Sequence, residues 1–259
     1  MNTLAEAAFG AEPGRWPLPS ATTADQHWQR AVAAGGQGRY AVAMTELEAA
    51  GRVGGGGAVP SLALSTRASF VRQLGWHVAA RTWDGRALTV AGSDADALAD
   101  ASIGLAADAL GVGRFALSAR LLARAHDTVD GSASARLPVR LAWVSAELAM
   151  VTGDGAAAVG HAERAAAFAA DLGSVRHAVK SDVVLAAALC CAGSIERSRQ
   201  VADTALEAAE HHGLVPLTWA LCCLLCDIGS AARAPAEISA LRATCTRVVR
   251  DRGGTWAHH

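Results

Sequence analysis

The stretch Gly36–Ala50, GQGRYAVAMTELEAA, decides the fold. It carries a glycine at Gly38, an aromatic residue two places on at Tyr40 and an alanine twelve places on at Ala50. The same turn recurs as Gly75-Trp-His77, Gly113-Arg-Phe115, Gly153-Asp-Gly155 and Gly193-Ser-Ile195, at intervals of 37, 38, 40 and 40 residues. Ala87, Ala125, Ala165 and Ala205 stand twelve residues after these glycines, and Ala68, Ala106, Ala146 and Ala186 seven before them. Three positions held in phase over five cycles mark a fixed structural period, the signature of a helical array.

Each cycle reads as two helices. The segment before the glycine is amphipathic, as in LPVRLAWVSAELAMVT, and so is the segment after it, as in AAVGHAERAAAFAADLG. No run alternates at period two with β-branched enrichment, so no strand is expected. Ser93 with Asp96 reads as a capping box, Asp154 and Ser194 as helix N-caps and Pro235 as a first-turn residue.

Composition agrees. The chain is 52% hydrophobic but only 5% aromatic, because alanine supplies much of the apolar content. Alanine favours helices and lets them approach closely. With 23 basic and 24 acidic residues, the net charge of −1 excludes the broad basic face of nonspecific nucleic-acid binding. Lys180 is the sole lysine, an arginine bias that suits a GC-rich genome of the actinobacterial type. Apolar runs such as Val183–Ala192 fall well short of the roughly 20 residues of a membrane span. The first residues do not read as a signal peptide, so a cytoplasmic chain with reduced cysteines is expected.

A small residue seven before the turn glycine, an aromatic two after it and alanine twelve after it resemble the tetratricopeptide repeat. The resemblance runs from about Thr22 to Gly253, with an irregular sixth unit around Gly229. The cycles are longer than the family's roughly 34 residues, the closing proline is missing, and Asp182 replaces a large apolar residue. The resemblance implies an all-α, right-handed α-solenoid of about six units, near residues 22–53, 60–92, 94–130, 137–172, 174–212 and 214–252. Residues 1–20 are expected to be a disordered tail, 21–252 the array and 253–259 a flexible tail. The glycine run between Val53 and Ala58 is expected to be a flexible link that leaves the first unit loosest.

Several motifs compete with blander readings. All six cysteines lie late in the chain, and Cys223-Leu-Leu-Cys226 is formally a C-x-x-C. Inside a helix it lacks the knuckle of structural zinc sites, and cysteine is a common small core residue, so packing is the expected role. His211-His212 before Gly213 reads as a helix end. Gly111-Val-Gly113 and Gly153-Asp-Gly155 follow no strand, which removes the geometry of dinucleotide motifs. No cofactor, metal or catalytic constellation is expected.

In the resembled family, the residues 13, 10, 6 and 3 before each turn glycine face the concave groove. That rule selects Arg72, Asp100, Arg140, Trp143, Glu147, Lys180, Val183 and Trp219 as the partner-binding wall. Trp143 and Trp219 would anchor apolar side chains, and Arg140 with Lys180 would meet a carboxylate. On the bland reading Asp100 and Glu147 neutralise the cations and the tryptophans are core. The expected function is a non-catalytic scaffold that binds a protein or peptide on its concave face, with no direct contact to nucleic acid or membrane; its oligomeric state is open, a dimer included. The alternatives are a ligand- or peptide-sensing module acting on a separate effector chain and a thiol- or metal-dependent protein using the late cysteines.

Overall fold

The computed structural model describes residues 3–53, 58–129 and 132–257. A short helix α1 (Thr3–Phe9) precedes a series of antiparallel hairpins. The first is α2–α3 (Ala24–Gly36, Tyr40–Val53), followed by α4–α5 (Val59–Gln73, His77–Val90) and α6–α7 (Ala95–Gly111, Phe115–Val129). Then come α8–α9 (Arg136–Val151, Gly155–Leu172), α10–α11 (Val175–Cys191, Ile195–His211) and α12–α13 (Val215–Ile228, Pro235–Asp251). Among the described residues there are six hairpins and no strands: the chain is an all-helical repeat solenoid.

The periodic glycines have a backbone cause. Gly38, Gly75, Gly113, Gly153 and Gly193 all sit at φ between 73° and 92°, where a side chain is strained. At the first of them, Arg39 N–H donates to the Ala34 carbonyl and Gly38 N–H to that of Gly35, both at 2.9 Å. The same pair of bonds closes the other four turns and satisfies carbonyls that the helix end would orphan. Gly229 differs: only its bond to the Leu225 carbonyl forms, and five residues intervene before Pro235 opens α13. This is the structural side of the irregular sixth unit. The in-phase alanines, Ala50 to Ala205 after the turns and Ala68 to Ala186 before them, are at most 4% exposed. Among the expected caps, Asp154 accepts from Ala157 N–H at 2.9 Å, but α6 is capped by Asp94 rather than Ser93, and Ser194 makes no capping bond.

Both termini depart from expectation. The sequence predicts disorder over residues 1–20, yet α1 buries Leu4, Ala7 and Ala8, and Leu18 in the following loop is buried too. Seven residues cannot hold a helix alone; tertiary contact with α2 and α10 does so. The Gly10 carbonyl accepts from Val175 N–H at 3.2 Å, filling one of the donor positions that α10 leaves open. Buried Gln37 donates to the Pro13 and Arg15 carbonyls, at 2.9 and 3.0 Å, and fixes the following loop.

The other end, read as flexible from Gly253, is also seated. Trp256 packs on Trp219 with ring centroids 4.3 Å apart, and Ala257 N–H donates to the Leu74 carbonyl at 2.8 Å. Trp76 Nε1 donates to the Thr255 carbonyl at 2.7 Å. His258, His259 and the glycine link Gly54–Gly57 lie outside the described residues.

These contacts join the two ends of the array. Ala41 N–H donates to the Arg252 carbonyl at 2.9 Å, and Arg252 Nη1 returns a bond to the Gln37 carbonyl at 2.7 Å. Val249 of α13 belongs to the same apolar cluster as Val32, Tyr40 and Phe70. The first hairpin, expected to be the loosest, is therefore pinned to the last, and the concave wall curves back on itself.

Candidate functional site

The A helices α2, α4, α6, α8, α10 and α12 turn their inner faces toward a shared cavity of about 470 Å³. That volume falls in the range of small-ligand sites, which occupy roughly 300–1,000 Å³. Of the wall residues selected from the sequence, Arg72, Arg140, Trp143, Glu147, Lys180 and Trp219 line this chamber. Asp100 and Val183 do not. Asp100 is only 2% exposed behind the arginines, and Val183 packs outward against the α10–α12 core.

The two cations proposed to meet a carboxylate are already matched. Asp100 pairs with Arg140, and Lys180 Nζ lies 3.5 Å from Glu147. The bland reading of those charges thus describes their geometry. The tryptophans are likewise held: Trp143 Nε1 donates to Ser181 Oγ at 2.9 Å, and its ring stacks on His177 at 5.5 Å. Trp219 Nε1 donates to Thr246 Oγ1 at 3.0 Å while Trp256 covers its face. Each indole presents one face to the chamber with its polar edge satisfied, the arrangement that lets a buried tryptophan contact apolar groups at no hydrogen-bonding cost.

Residues outside the selected set complete the chamber. Phe9 of α1 enters between Trp28 and His177, with centroids at 5.2 and 6.3 Å. Trp28 Nε1 donates to Thr66 Oγ1 at 2.9 Å, so this indole too spans two A helices. Arg136 and Arg176 project from the first turns of α8 and α10. The Arg136 guanidinium lies 5.4 Å from the Phe9 ring centroid, 5.6 Å from that of Trp28 and 3.6 Å from Asp100.

A signal for several of these was present in the sequence. Trp28 stands ten before Gly38, the position of Trp143 and Trp219 in their own units. Arg136 and Arg176 each stand 17 before their turn glycine, one helical turn beyond Arg140 and Lys180. The A helices α8 and α10 run 16 and 17 residues, so the groove face starts a turn earlier than a count from 13 allows. Phe9 and Trp256 had no such signal, because both lie outside the period.

Charge in the chamber is uneven. Burial, with Arg136 and Arg140 beside it, brings Arg176 down to about 10. Burial and the same three arginines hold His177 well below the ordinary histidine value, so its imidazole is neutral. His177 Nδ1 lies 2.8 Å from buried Ser174 Oγ, a local contact at the start of α10. Ser174 is 1% exposed and unreachable as a nucleophile.

Arg72 has another setting. It donates to Asp84 at 3.0 Å, to the Gly104 carbonyl at 2.9 Å and to Asp108, joining α4, α5 and α6. Both carboxylates are 0% exposed, and burial raises both, Asp84 to about 7. Of the late cysteines, Cys222 and Cys245 are buried, which pushes their thiols up to about 12 and about 11. Such thiols are poor nucleophiles at neutral pH. Among the described residues, no three of His, Cys, Asp and Glu form a metal-binding group, and no helix is long and apolar enough to cross a membrane.

No family model and no curated protein matches the chain. Solved structures do. One is the crystal structure of a Rap protein complexed with competence and sporulation factor, which superposes with a TM-score of 0.67 over 89% of this chain. The fold is tetratricopeptide-like. Sequence identity over that match is 12%, and the chain spans 64% of the Rap chain, under two thirds of its length. At that identity the likeness concerns the path of the helices. The contents of the tetratricopeptide-like chamber, its arginines and indoles, have to be read from this chain alone.

Proposed function

We propose that this chain is a non-catalytic receptor that holds a short peptide, or a small ligand of similar size, in the chamber on its concave face. The observation that carries the reading is closure. The bonds of Ala41, Gln37 and Leu74 to the C-terminal segment turn what would be an open groove into a partly enclosed cavity of about 470 Å³. An open groove suits a scaffold for long partner segments. A partly enclosed chamber lined by indoles with a few convergent charges suits a compact ligand. The matched Rap structure is a complex with competence and sporulation factor, which supports ligand capture by this architecture.

The response to binding follows from the same geometry. The α1 segment bridges α2 and α10 through the Val175–Gly10 bond, and Trp256 seats the C-terminal segment on Trp219, so a ligand displacing Phe9 or Trp256 would change how the ends meet. Such coupling would let a separate effector chain read occupancy, the sensing role among the readings of the sequence.

Selection of short random-sequence peptides on the full chain tests the reading. Enriched peptides are expected to compete with one another and to lose at least ten-fold in affinity on Trp143→Ala, a loss of about 1.4 kcal/mol, with helical content retained. Peptides that bind Trp143→Ala and Trp219→Ala as tightly as the parent chain would place the binding surface outside the chamber.

A further inference from the structure

Three guanidiniums converge at one end of the chamber, those of Arg136, Arg140 and Arg176. Asp100 accepts from Arg140 and lies 3.6 Å from Arg136. Asp96, the remaining acid near Arg136, accepts a bond from Ser132 at 2.5 Å. The neighbouring Lys180 and Glu147 form a matched pair. Among the described residues no carboxylate pairs with Arg176. Its Nε is enclosed without a hydrogen-bond partner, and its Nη2 reaches only the Ala8 carbonyl at 3.5 Å.

An arginine in this position is costly. A guanidinium drawn out of water without a counter-charge loses hydration that its surroundings do not replace, and like charges beside it add to the penalty. An apolar residue at Arg176 would close α10 against Phe9 with less electrostatic cost. The arrangement instead leaves five-donor planar groups facing a cavity, the geometry that receives the oxygens of a carboxylate or phosphate in two-point contact. The Phe9, Trp28 and Trp143 rings beside them offer faces for an apolar or aromatic body.

We infer that Arg136, Arg140 and Arg176 form a subsite for an oxyanion, so that the chamber's ligand carries a carboxylate or phosphate next to an apolar group. The inference rests on the chamber being a ligand site and names the chemistry of what enters it. Asp100 orients Arg136 and Arg140 from behind, and Arg176 supplies the unmatched charge.

Three small probes of one shape test it on the full chain: N-acetylphenylalanine, its uncharged amide, and phenyl phosphate, titrated at low, matched ionic strength with tryptophan fluorescence as the signal. At least one of the two anions is expected to bind about ten-fold or more tightly than the amide, the value of one charge-assisted bond. Which anion binds more tightly distinguishes a carboxylate source from a phosphate source. Arg176→Gln should remove most of that preference, while Arg176→Lys should keep part of it. Thermal melting of both variants shows that they are folded.

Acid and amide binding equally, an anion preference unchanged in Arg176→Gln, or no binding by any probe would each overturn the subsite. Selected peptides distinguish this failure from failure of the receptor reading. Neutral peptides that bind in the chamber and ignore Arg176→Gln would leave the receptor standing without its anion subsite.

Discussion

Arg72 and Arg176 both come from A helices and both lie against the chamber, but their surroundings are built in opposite senses. Around Arg72, one guanidinium faces two fully buried carboxylates, Asp84 and Asp108. Around Arg176, its two neighbours Arg136 and Arg140 share Asp100 at close range, and among the described residues Arg176 has no carboxylate of its own. The first cluster sits where α4, α5 and α6 pack on one another, so its cation is matched from within the fold, while Asp84 Oδ1 and Asp108 Oδ2 stay without a hydrogen-bond partner. The second opens onto the cavity and is left in surplus. Polar groups sealed in a core must be satisfied by the chain, whereas groups facing a site can wait for a ligand. The difference separates a fastening from a candidate recognition surface.

The largest expected effect comes from breaking the fastening. Arg72→Leu leaves two buried carboxylates with no cation, and loss of one partner from such a cluster costs about 3–5 kcal/mol. Urea denaturation of the variant should show this fall, and a change under 1 kcal/mol would mean that the cluster does not hold α4, α5 and α6 together. Arg176→Gln should move the other way and raise the melting temperature in the absence of ligand. A lower melting temperature would show that Arg176 is matched in solution.

Removing residues 1–20 strips Phe9 from the second region and Leu18 from the first hairpin, and leaves the Arg72 cluster untouched. Burial of a large apolar side chain is worth about 1.5–3 kcal/mol, so a loss of several kcal/mol is expected, with faster exchange of the amides of α10. Unchanged stability would mean that α1 merely rests on the array.

Acid should separate the two regions by sign. The folded-state value of Asp84 is raised to about 7 from 3.8, so its contribution is fully present below about pH 4 and is lost as pH rises through 7. His177 is held well below 6.5, so its contribution is present above that pH and is lost as pH falls below it. Asp84→Asn should therefore remove a decline in stability between pH 4 and 7, and His177→Gln a gain over the upper part of that range. Denaturation midpoints at several pH values check both, and parallel curves for the parent and the variants would contradict the assignment. The smallest effect is expected at Lys180→Ala, since the half-exposed Lys180–Glu147 pair is worth about 0–1 kcal/mol. A larger loss would bring Lys180 into the chamber's structural frame.

The array itself was legible in the sequence because each turn needs a left-handed residue and each helix crossing needs a small one. Both demands are local and recur at every unit, as Gly38 and Ala50 show for the first. Six of the eight wall residues reach the chamber for the same reason, since a helix face follows from counting. Asp100 and Val183 lie elsewhere, Asp100 against Arg136 and Arg140 and Val183 against the apolar cluster shared with α12, because tertiary partners rather than the count decide where those side chains pack. Arg136 and Arg176 were within reach of the same count carried one turn further.

The helical hairpin, its period and its inward face are all set by interactions within about forty residues, which is why the chain's local pattern records them. Closure arises at the level of the whole array: the seating of α1, the return of Trp256 onto Trp219, and the meeting of Arg252 with Gln37 and Ala41. Those partners lie up to 215 residues apart. Their contact depends on the summed curvature of every hairpin between them, a quantity that no local pattern records.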